Sequence, residues 1–211
     1  PPSYEALNQA RDRLKFDEFF WLMLPRLRHQ YEDKVQGLPC LAKEAYLTQY
    51  LNELPYVLTE DQLNAIDVIQ EDMSKDVAMN RLLQGDVGCG KTDVAIAALL
   101  FCLQAGHSAA FLVPTEILAD QHLHKLKVRL KEFNIEICLL KGALKESEKK
   151  AIKTRLLQQD PIVVVGTHAL LQDSVAIPYL GLVIVDEQHR FGVVQRLRLQ
   201  KGSKIGPHAL F

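Results

Sequence analysis

The stretch Gly-Asp-Val-Gly-Cys-Gly-Lys-Thr at residues 85–92 constrains the fold of this chain more than any other feature of the sequence. It follows the apolar segment RLLQ at 81–84 and precedes the apolar run from Val94 to Leu103, so it joins a predicted strand to a predicted buried helix. A glycine-rich turn between a strand and a helix is the context in which this spacing forms a phosphate-binding loop. The sequence therefore predicts an α/β domain built around an anion-binding turn.

The residues of this loop have the chemistry needed to hold a nucleotide. We predict that Gly85, Gly88 and Gly90 let backbone N–H groups turn inward around phosphates. Lys91 supplies a positive charge, and the hydroxyl of Thr92 can coordinate Mg²⁺. The expected ligands are ATP and Mg²⁺.

Two adjacent acids follow another apolar segment, in the sequence LVIVDEQH at 182–189. We predict that Asp186 holds Mg²⁺ through water and that Glu187 activates the attacking water as a general base. Paired acids after a strand are also common at solvent-facing turns, but together with the phosphate loop they indicate nucleotide hydrolysis. The pair His122 and His124 points in different directions on a helix, and we predict that both lie on the surface.

Apolar segments and helical patterns alternate along the chain after about Pro55. The segments predicted to be strands are 81–84, 109–113, 135–140, 162–166 and 182–187, and the predicted helices lie near 60–74, 91–105, 116–132 and 145–158. This alternation implies a parallel sheet covered by helices on both faces. The final GPHALF at 206–211 stands where a further strand would begin, and we expect the chain to be cut there.

The first part of the chain has a different pattern. Apolar residues recur at helical spacing from Tyr4 to about Gln30, which predicts a long helix bent near Pro25. A second helix is predicted over about 43–54, ending before Pro55. We therefore expect a helical segment over 1–54 and an α/β domain over 55–211.

Composition narrows the possible partners and the location. The 25 basic and 26 acidic residues give a net charge of -1, so any contact with nucleic acid must be local. No apolar run is long enough to span a bilayer, and the N-terminus lacks the apolar core of a signal peptide. The four cysteines form no CxxC pair, which argues against a disulfide framework or a zinc site and favours the cytoplasm; they are Cys40, Cys89, Cys102 and Cys138.

Four segments together resemble the first motor domain of superfamily 2 helicases, most closely that of RecG-type helicases. They are GDVGCGKT at 85–92, PTEILADQH at 114–122, GTHAL at 166–170 and DEQHRFGVVQR at 186–196. The resemblance covers about residues 55–211 and implies a RecA-like P-loop domain of an ATP-dependent DNA helicase. The helices before it, with ARDRLKFDEFF at 10–20, resemble the linker that joins the RecG wedge domain to its motor.

The resemblance also implies a site for the adenine base. The segment LPYVLTEDQ at 54–62 is similar to the family's adenine-recognition segment, with Gln62 bonding the base edge and Tyr56 stacking on it. Two simpler interpretations stay open from the pattern alone. Gln62 fits the face of a helix, and Tyr56 fits a core.

The resemblance implies that two further segments contact DNA. It implies that a third segment couples the state of the bound ATP to the binding of DNA. A hydroxyl and backbone N–H groups at a strand-to-helix turn can bind phosphates without reading sequence. The implied DNA contacts are Pro114, Thr115, Glu116, Gly166, Thr167 and His168. The implied coupling residues are His189, Arg190 and Arg196, although RFGVVQR at 190–196 also fits a solvated charged loop.

The resemblance sets the expected activity and its alternatives. We expect a motor that remodels branched DNA, truncated before the Thr-Ala-Thr-Pro motif and lacking the second motor domain and the wedge, so that the isolated chain is nearly inactive. One alternative is an Mfd-type transcription-repair coupling translocase, whose acidic motif usually reads Asp-Glu-Glu-Gln where this chain has Gln188 and His189. Another is a nucleotide-sensing module without turnover.

Overall fold

The computed structural model describes residues 3–32, 35–41, 45–86, 88–158, 160–172, 174–187 and 205–211. The chain divides into two compact units, Pro1–Lys34 and Val35–Phe211. The second unit thus begins earlier than the boundary predicted near residue 55. The assignment of 1–54 to a linker and 55–211 to a motor stays a prediction.

The first unit contains one long helix, α1, over Tyr4–Glu32. It includes Pro25 within its length, so the predicted helix continues through the proline. Several large apolar side chains along α1 are exposed, among them Phe19, Trp21 and Leu22.

The second unit is built on a sheet of six parallel strands among the described residues. The order across the sheet is β2-β8-β6-β3-β5-β4, and every neighbouring pair is parallel. The strands are β2 Asn80–Arg81, β3 Ser108–Leu112, β4 Ile137–Leu140, β5 Val163–Gly166, β6 Leu180–Val185 and β8 His208–Leu210. Outside this sheet, β1 Gln36–Gly37 pairs in parallel with β7 Ile205–Gly206. The predicted α/β fold with a parallel sheet is confirmed.

Helices cover the sheet on both faces, because alternate residues of each strand point to opposite sides. Ala109 and Phe111 of β3 enter one apolar core, whereas Ala110 and Leu112 enter the other. The helices of this unit are α2 Ala45–Glu53, α3 Glu60–Met73, α4 Lys91–Gln104, α5 Glu116–Arg129 and α6 Glu146–Leu156. None of the helices in the described residues could cross a membrane, since none is both long and apolar enough.

Helix α4 is the most deeply buried of the described helices. Every residue from Asp93 to Leu103 is buried, and α4 packs between α2, α3 and strands β3 and β6. A helix that is apolar on all sides is typical of a fully enclosed position. The buried helix predicted from the run Val94–Leu103 is confirmed.

The strand before the phosphate loop differs from its prediction. We predicted a strand over 81–84, but β2 covers only Asn80–Arg81. It lies at the edge of the sheet and pairs with β8 alone, as Arg81 and Leu83 exchange backbone hydrogen bonds with Phe211. Beyond Leu83 the chain leaves the sheet and enters the loop. The strand expected in the final GPHALF is confirmed as β8.

Candidate nucleotide-binding site

The phosphate loop ends in a backbone conformation that requires glycine. Gly88 and Gly90 have φ angles of 83° and 81°, in the left-handed region that side chains disfavour. Gly90 is the N-cap of α4 and has no side chain to accept hydrogen bonds from the first turn. The start of α4 therefore presents backbone N–H groups and the positive end of the helix dipole, the combination that binds anions.

Lys91 lies across the same loop. Its ammonium group donates hydrogen bonds to the carbonyl oxygens of Gly85 at 2.6 Å and Asp86 at 2.8 Å. The positive charge is thus held inside the loop, beside the N-terminus of α4. This arrangement fits the predicted role of Lys91 as the cation that faces phosphates.

Gln62 joins the loop to helix α3. Its amide nitrogen donates to the carbonyl of Cys89 at 2.8 Å, while its amide oxygen accepts from the backbone N–H of Thr59 at 2.7 Å. Thr59 and Gln62 together form a capping box at the start of α3. A side chain at Gly90 would collide with the Gln62 amide, so the two positions pack closely. The structure places Gln62 against the loop, and its role in bonding the base stays a prediction.

Tyr56 belongs to a polar network that the sequence did not predict. The carboxylate of Asp93 accepts hydrogen bonds from Tyr50 at 2.6 Å and from Tyr56 at 2.7 Å. Arg129 donates to the Tyr56 hydroxyl at 2.6 Å, and its guanidinium lies 5.4 Å from the centre of the Tyr56 ring. Burial, and then the hydrogen bond to Asp93, raise the pKa of Tyr50, so its hydroxyl stays protonated and donates.

One member of this network, Asp93, could have been identified from the sequence. Asp93 interrupts the sequence KTDVAIAALL, and a charged residue in an otherwise apolar buried helix requires partners. Its partners Tyr50 and Arg129 lie far from it in sequence, so the pattern could not identify them. Tyr56 is 45% exposed, which excludes the core position left open for it in the sequence analysis.

A cavity of about 460 Å³ opens between the loop and this network. Its lining includes the loop residues Gly88, Gly90, Lys91 and Thr92 as well as Tyr56 and Arg129. A volume of this size is within the range of small-molecule binding sites. The cavity thus combines an anion-binding end with an exposed aromatic ring.

Asp186 and Glu187 directly follow β6, as predicted. The Asp186 backbone N–H donates to the carbonyl of Leu112 at 2.9 Å, and one carboxylate oxygen of Asp186 accepts from the backbone N–H of Glu187 at 3.1 Å. Glu187 has a φ of 57°, a conformation uncommon outside glycine that holds the chain in a sharp turn here. Both acids therefore lie at the carboxyl edge of the sheet, where such folds bind ligands.

The prediction that His122 lies on the surface is wrong. His122 is 8% exposed, and its Nε2 lies 3.0 Å from Oδ2 of Asp186. It shares the buried face of α5 with Ala119 and Leu126, three residues before it and four after it. That spacing was the signal available in the sequence. His124 is exposed, as predicted.

The pKa of the Asp186 carboxyl is lowered, chiefly by the hydrogen bond with His122. Burial opposes this shift, and the charge of Lys91 adds to it. Asp186 is therefore ionised and within electrostatic reach of the loop lysine. An ionised carboxylate suits a hard divalent cation, which prefers oxygen ligands.

The segments implied to contact DNA lie at the same edge of the sheet. Thr115 is exposed and caps α5, accepting a hydrogen bond from the backbone N–H of Leu118 at 3.3 Å. Pro114 is half-buried just after β3, and the Glu116 carboxylate accepts from the backbone N–H of Ala143 at 2.9 Å.

The second such segment follows β5, the neighbour of β3 in the sheet. Gly166 ends this strand, Thr167 is buried, and His168 is exposed at the start of a short 3₁₀ turn. Because β3 and β5 are parallel and adjacent, both segments leave the sheet at the same edge. Their contact with DNA stays a prediction. His189, Arg190 and Arg196 lie outside the described residues.

Comparison with known proteins shows that this chain is similar to helicases. Residues 59–204 match the DEAD/DEAH box helicase family. The chain is 46% identical to the ATP-dependent DNA helicase RecG of Aquifex aeolicus, with 99% of the chain and 27% of that protein aligned. It is 43% identical to RecG of Synechocystis sp., over 100% of the chain and 25% of that protein.

A solved structure of RecG bound to a three-way DNA junction is also similar. It superposes with a TM-score of 0.88 at 40% identity, covering 99% of the chain and 28% of the RecG chain. The resemblance to RecG-type helicases is confirmed. The chain spans about a quarter of the length of the relatives it matches.

Proposed function

The chain belongs to the DEAD/DEAH box helicase family, and from this premise we propose that it is the ATP-binding motor domain of a helicase that remodels branched DNA. The proposed reactions are fork reversal and branch migration of Holliday junctions in recombination and repair. One observation carries the proposal. The phosphate loop, Asp186 and Glu187 all follow parallel strands at the same edge of the sheet. There the hydrogen bond with His122 and the charge of Lys91 lower the pKa of Asp186. The similarity to a RecG structure with a three-way junction supports the choice of DNA.

On the nucleotide side, each residue has a role that its position supports. The N–H groups of the loop and of the first turn of α4 bind the phosphates, and Lys91 places its charge against them. Tyr56, which also lines the cavity, offers its exposed ring to the base, and Gln62 keeps the loop next to α3. Thr92 and Asp186 would hold Mg²⁺, which neutralises phosphate charge when bound.

Glu187 is the residue we assign to proton transfer. It takes a proton from the attacking water as the water oxygen bonds to the γ-phosphorus and the bond to the β-phosphate oxygen breaks. The backbone N–H of Glu187 donates to the Asp186 carboxylate, which joins the two acids at the end of β6. Hydrolysis therefore depends on two neighbouring acids with different tasks.

On the DNA side, the segments 114–116 and 166–168 bind the phosphate backbone of one strand in this proposal. A net charge of -1 makes the contact local rather than a general attraction to DNA. A second motor domain and a wedge domain in the full-length protein complete the DNA track and split the junction. The proposed location is the cytoplasm.

The test is a strand-remodelling assay with the full-length protein. A synthetic three-way junction with one labelled arm is incubated with ATP, and release of that arm is compared with release from an unbranched duplex of equal length. We expect ATP-dependent release from the junction, and its loss in Lys91→Ala. ATP binding with no response of hydrolysis to either DNA would contradict the proposal and favour a nucleotide-sensing module.

A further inference from the structure

We propose that His122 is a positioning residue, which orients Asp186 and ties it to the helix whose first turn contacts DNA. The inference rests on the proposed function, since it assigns Asp186 to the nucleotide and Thr115 to DNA. It concerns a residue that lies outside the loop, the acid pair and the coupling segment 189–196. In this proposal helix α5 transmits movement between the bound nucleotide and the bound DNA.

The first support is the contact itself. Nε2 of His122 lies 3.0 Å from Oδ2 of Asp186, and the imidazole side chain is 11% exposed. The centre of its ring lies 4.7 Å from that of Phe111 on β3. Packing on one face and a hydrogen bond at the edge leave the ring little freedom to turn.

The second support is the state of the other ring nitrogen. Nδ1 of His122 is buried and has no hydrogen-bond partner among the residues that the structure describes. A hydrogen placed on Nδ1 would be buried without an acceptor. In the neutral ring the hydrogen is therefore on Nε2, which donates it to Asp186. Among the residues that the structure describes, Asp186 is thus the hydrogen-bond partner of this imidazole.

The third support is the geometry of the carboxylate. Oδ1 of Asp186 accepts from the Glu187 backbone, and Oδ2 accepts from His122. Two donors on different oxygens fix the plane of the carboxylate. Groups that hold a metal-binding carboxylate in this way determine where its remaining lone pairs point.

The connection to DNA runs along α5. Thr115 is the N-cap of α5, and His122 follows seven residues later, which is about 10 Å along a helix at 1.5 Å per residue. Asp120, between them, forms an ion pair of 2.8 Å with Lys141. In this proposal α5 moves as one rigid body, so that a shift of its first turn on binding a DNA phosphate reaches Asp186 through His122.

The experiment compares two substitutions of similar size in the full-length protein, His122→Met and His122→Gln. Methionine fills a buried site but cannot donate, whereas the glutamine amide can donate to Asp186. Gln121→Ala, on the exposed side of the same helix, is the surface control. For each variant, kcat, KM for ATP and the Mg²⁺ concentration for half-maximal rate are measured with and without a three-way junction, together with the melting temperature.

We expect His122→Met to reduce the junction-stimulated kcat by about 10- to 100-fold and to raise the Mg²⁺ requirement, as for groups that orient a metal ligand. KM for ATP should change less than about twofold, because the phosphate loop is intact. His122→Gln should recover most of the stimulated rate, and Gln121→Ala should match the wild type. The loss in His122→Met should be larger with the junction than without it.

Three results would overturn the inference. One is a wild-type rate and Mg²⁺ requirement in His122→Met, and another is an equal loss in the methionine and glutamine variants at equal melting temperature. The third is an equal loss with and without the junction, which would remove the connection to DNA. A wild-type protein that shows no junction-stimulated hydrolysis would instead contradict the proposed function, so the two failures are distinguishable.

Discussion

The hydroxyl of Tyr50 donates a hydrogen bond of 2.6 Å to Asp93, joining helix α2 to the first turn of the helix that follows the phosphate loop. Tyr50 has no exposed surface, and Asp93 is 6% exposed. A carboxylate at such a depth is stable only when its oxygens have donors, and Tyr56 supplies the second one. The segment before α3 is therefore part of the structure that supports the loop.

Replacing Tyr50 with phenylalanine should destabilise the fold. The change leaves Asp93 buried with one donor fewer, and hydrogen bonds to charged groups contribute about 1.5–3 kcal/mol. We expect the free energy of unfolding to fall by about that amount in urea denaturation. Tyr46→Phe is the matched control, since Tyr46 lies on the same helix and its described contact is a ring packed against Phe133 at 5.5 Å. Equal losses in the two variants would contradict the assigned role of the Tyr50 hydroxyl.

Replacing Lys91 with alanine should weaken nucleotide binding, because it removes the cation that the loop holds. Calorimetric titration with Mg-ATP measures the effect. Lys127→Ala removes the same charge from an exposed position on α5 and should bind ATP like the wild type. If Lys91→Ala kept the wild-type affinity, the loop would not be the phosphate site.

Replacing Glu187 with glutamine should separate binding from turnover. The side chain keeps its shape but cannot accept a proton, so ATP binds while hydrolysis falls about 10²- to 10⁴-fold, the range for loss of a general base. Steady-state hydrolysis by the full-length protein with a DNA junction is the measurement. Glu132→Gln, at an exposed position, serves as the control. Unchanged turnover in Glu187→Gln would show that another group activates the water.

Thiol labelling should report on the loop directly. Cys89 is exposed within the loop, whereas Cys40 and Cys102 are buried. Burial raises the pKa of Cys138 to about 12, so this thiol is protonated and unreactive near pH 7. A maleimide reagent should therefore modify Cys89 first, and Mg-ATP should slow the reaction.

The same labelling has an internal control. In Lys91→Ala, which binds ATP weakly, the nucleotide should protect Cys89 much less. If Cys89 of the wild type were labelled at the same rate with and without saturating Mg-ATP, the nucleotide would not bind at this loop.

The parts of the fold that depend on local pattern could be predicted from the sequence. The alternation of apolar segments and helical patterns gave the parallel sheet, and the loop and the acids Asp186 and Glu187 follow the strands expected for them. Each of these features depends on neighbouring residues. Their positions at one edge then follow from parallel strands alone.

The contacts that join distant segments could not be predicted in this way. Asp93 meets Tyr50 from 43 residues away, and Tyr56 meets Arg129 from 73 residues away. His122 reaches Asp186 across 64 residues of chain. These pairs depend on how α2, α4 and α5 pack, which a hydrophobic pattern does not specify. The bounds predicted for β2 differ from those observed for a related reason, because its edge position limits its pairing.

We propose that ATP hydrolysis requires this domain together with a second motor domain, and comparing hydrolysis by the chain and by the full-length protein tests that proposal most directly. An arginine from a partner domain commonly contributes about 10³- to 10⁵-fold to phosphoryl transfer. We expect the 211-residue chain to bind Mg-ATP but to hydrolyse it at least about 10³-fold more slowly than the full-length protein with a three-way junction. Adding the junction should barely change the rate of the chain alone. If the isolated chain reached the junction-stimulated rate of the full-length protein, the two-part mechanism would be wrong.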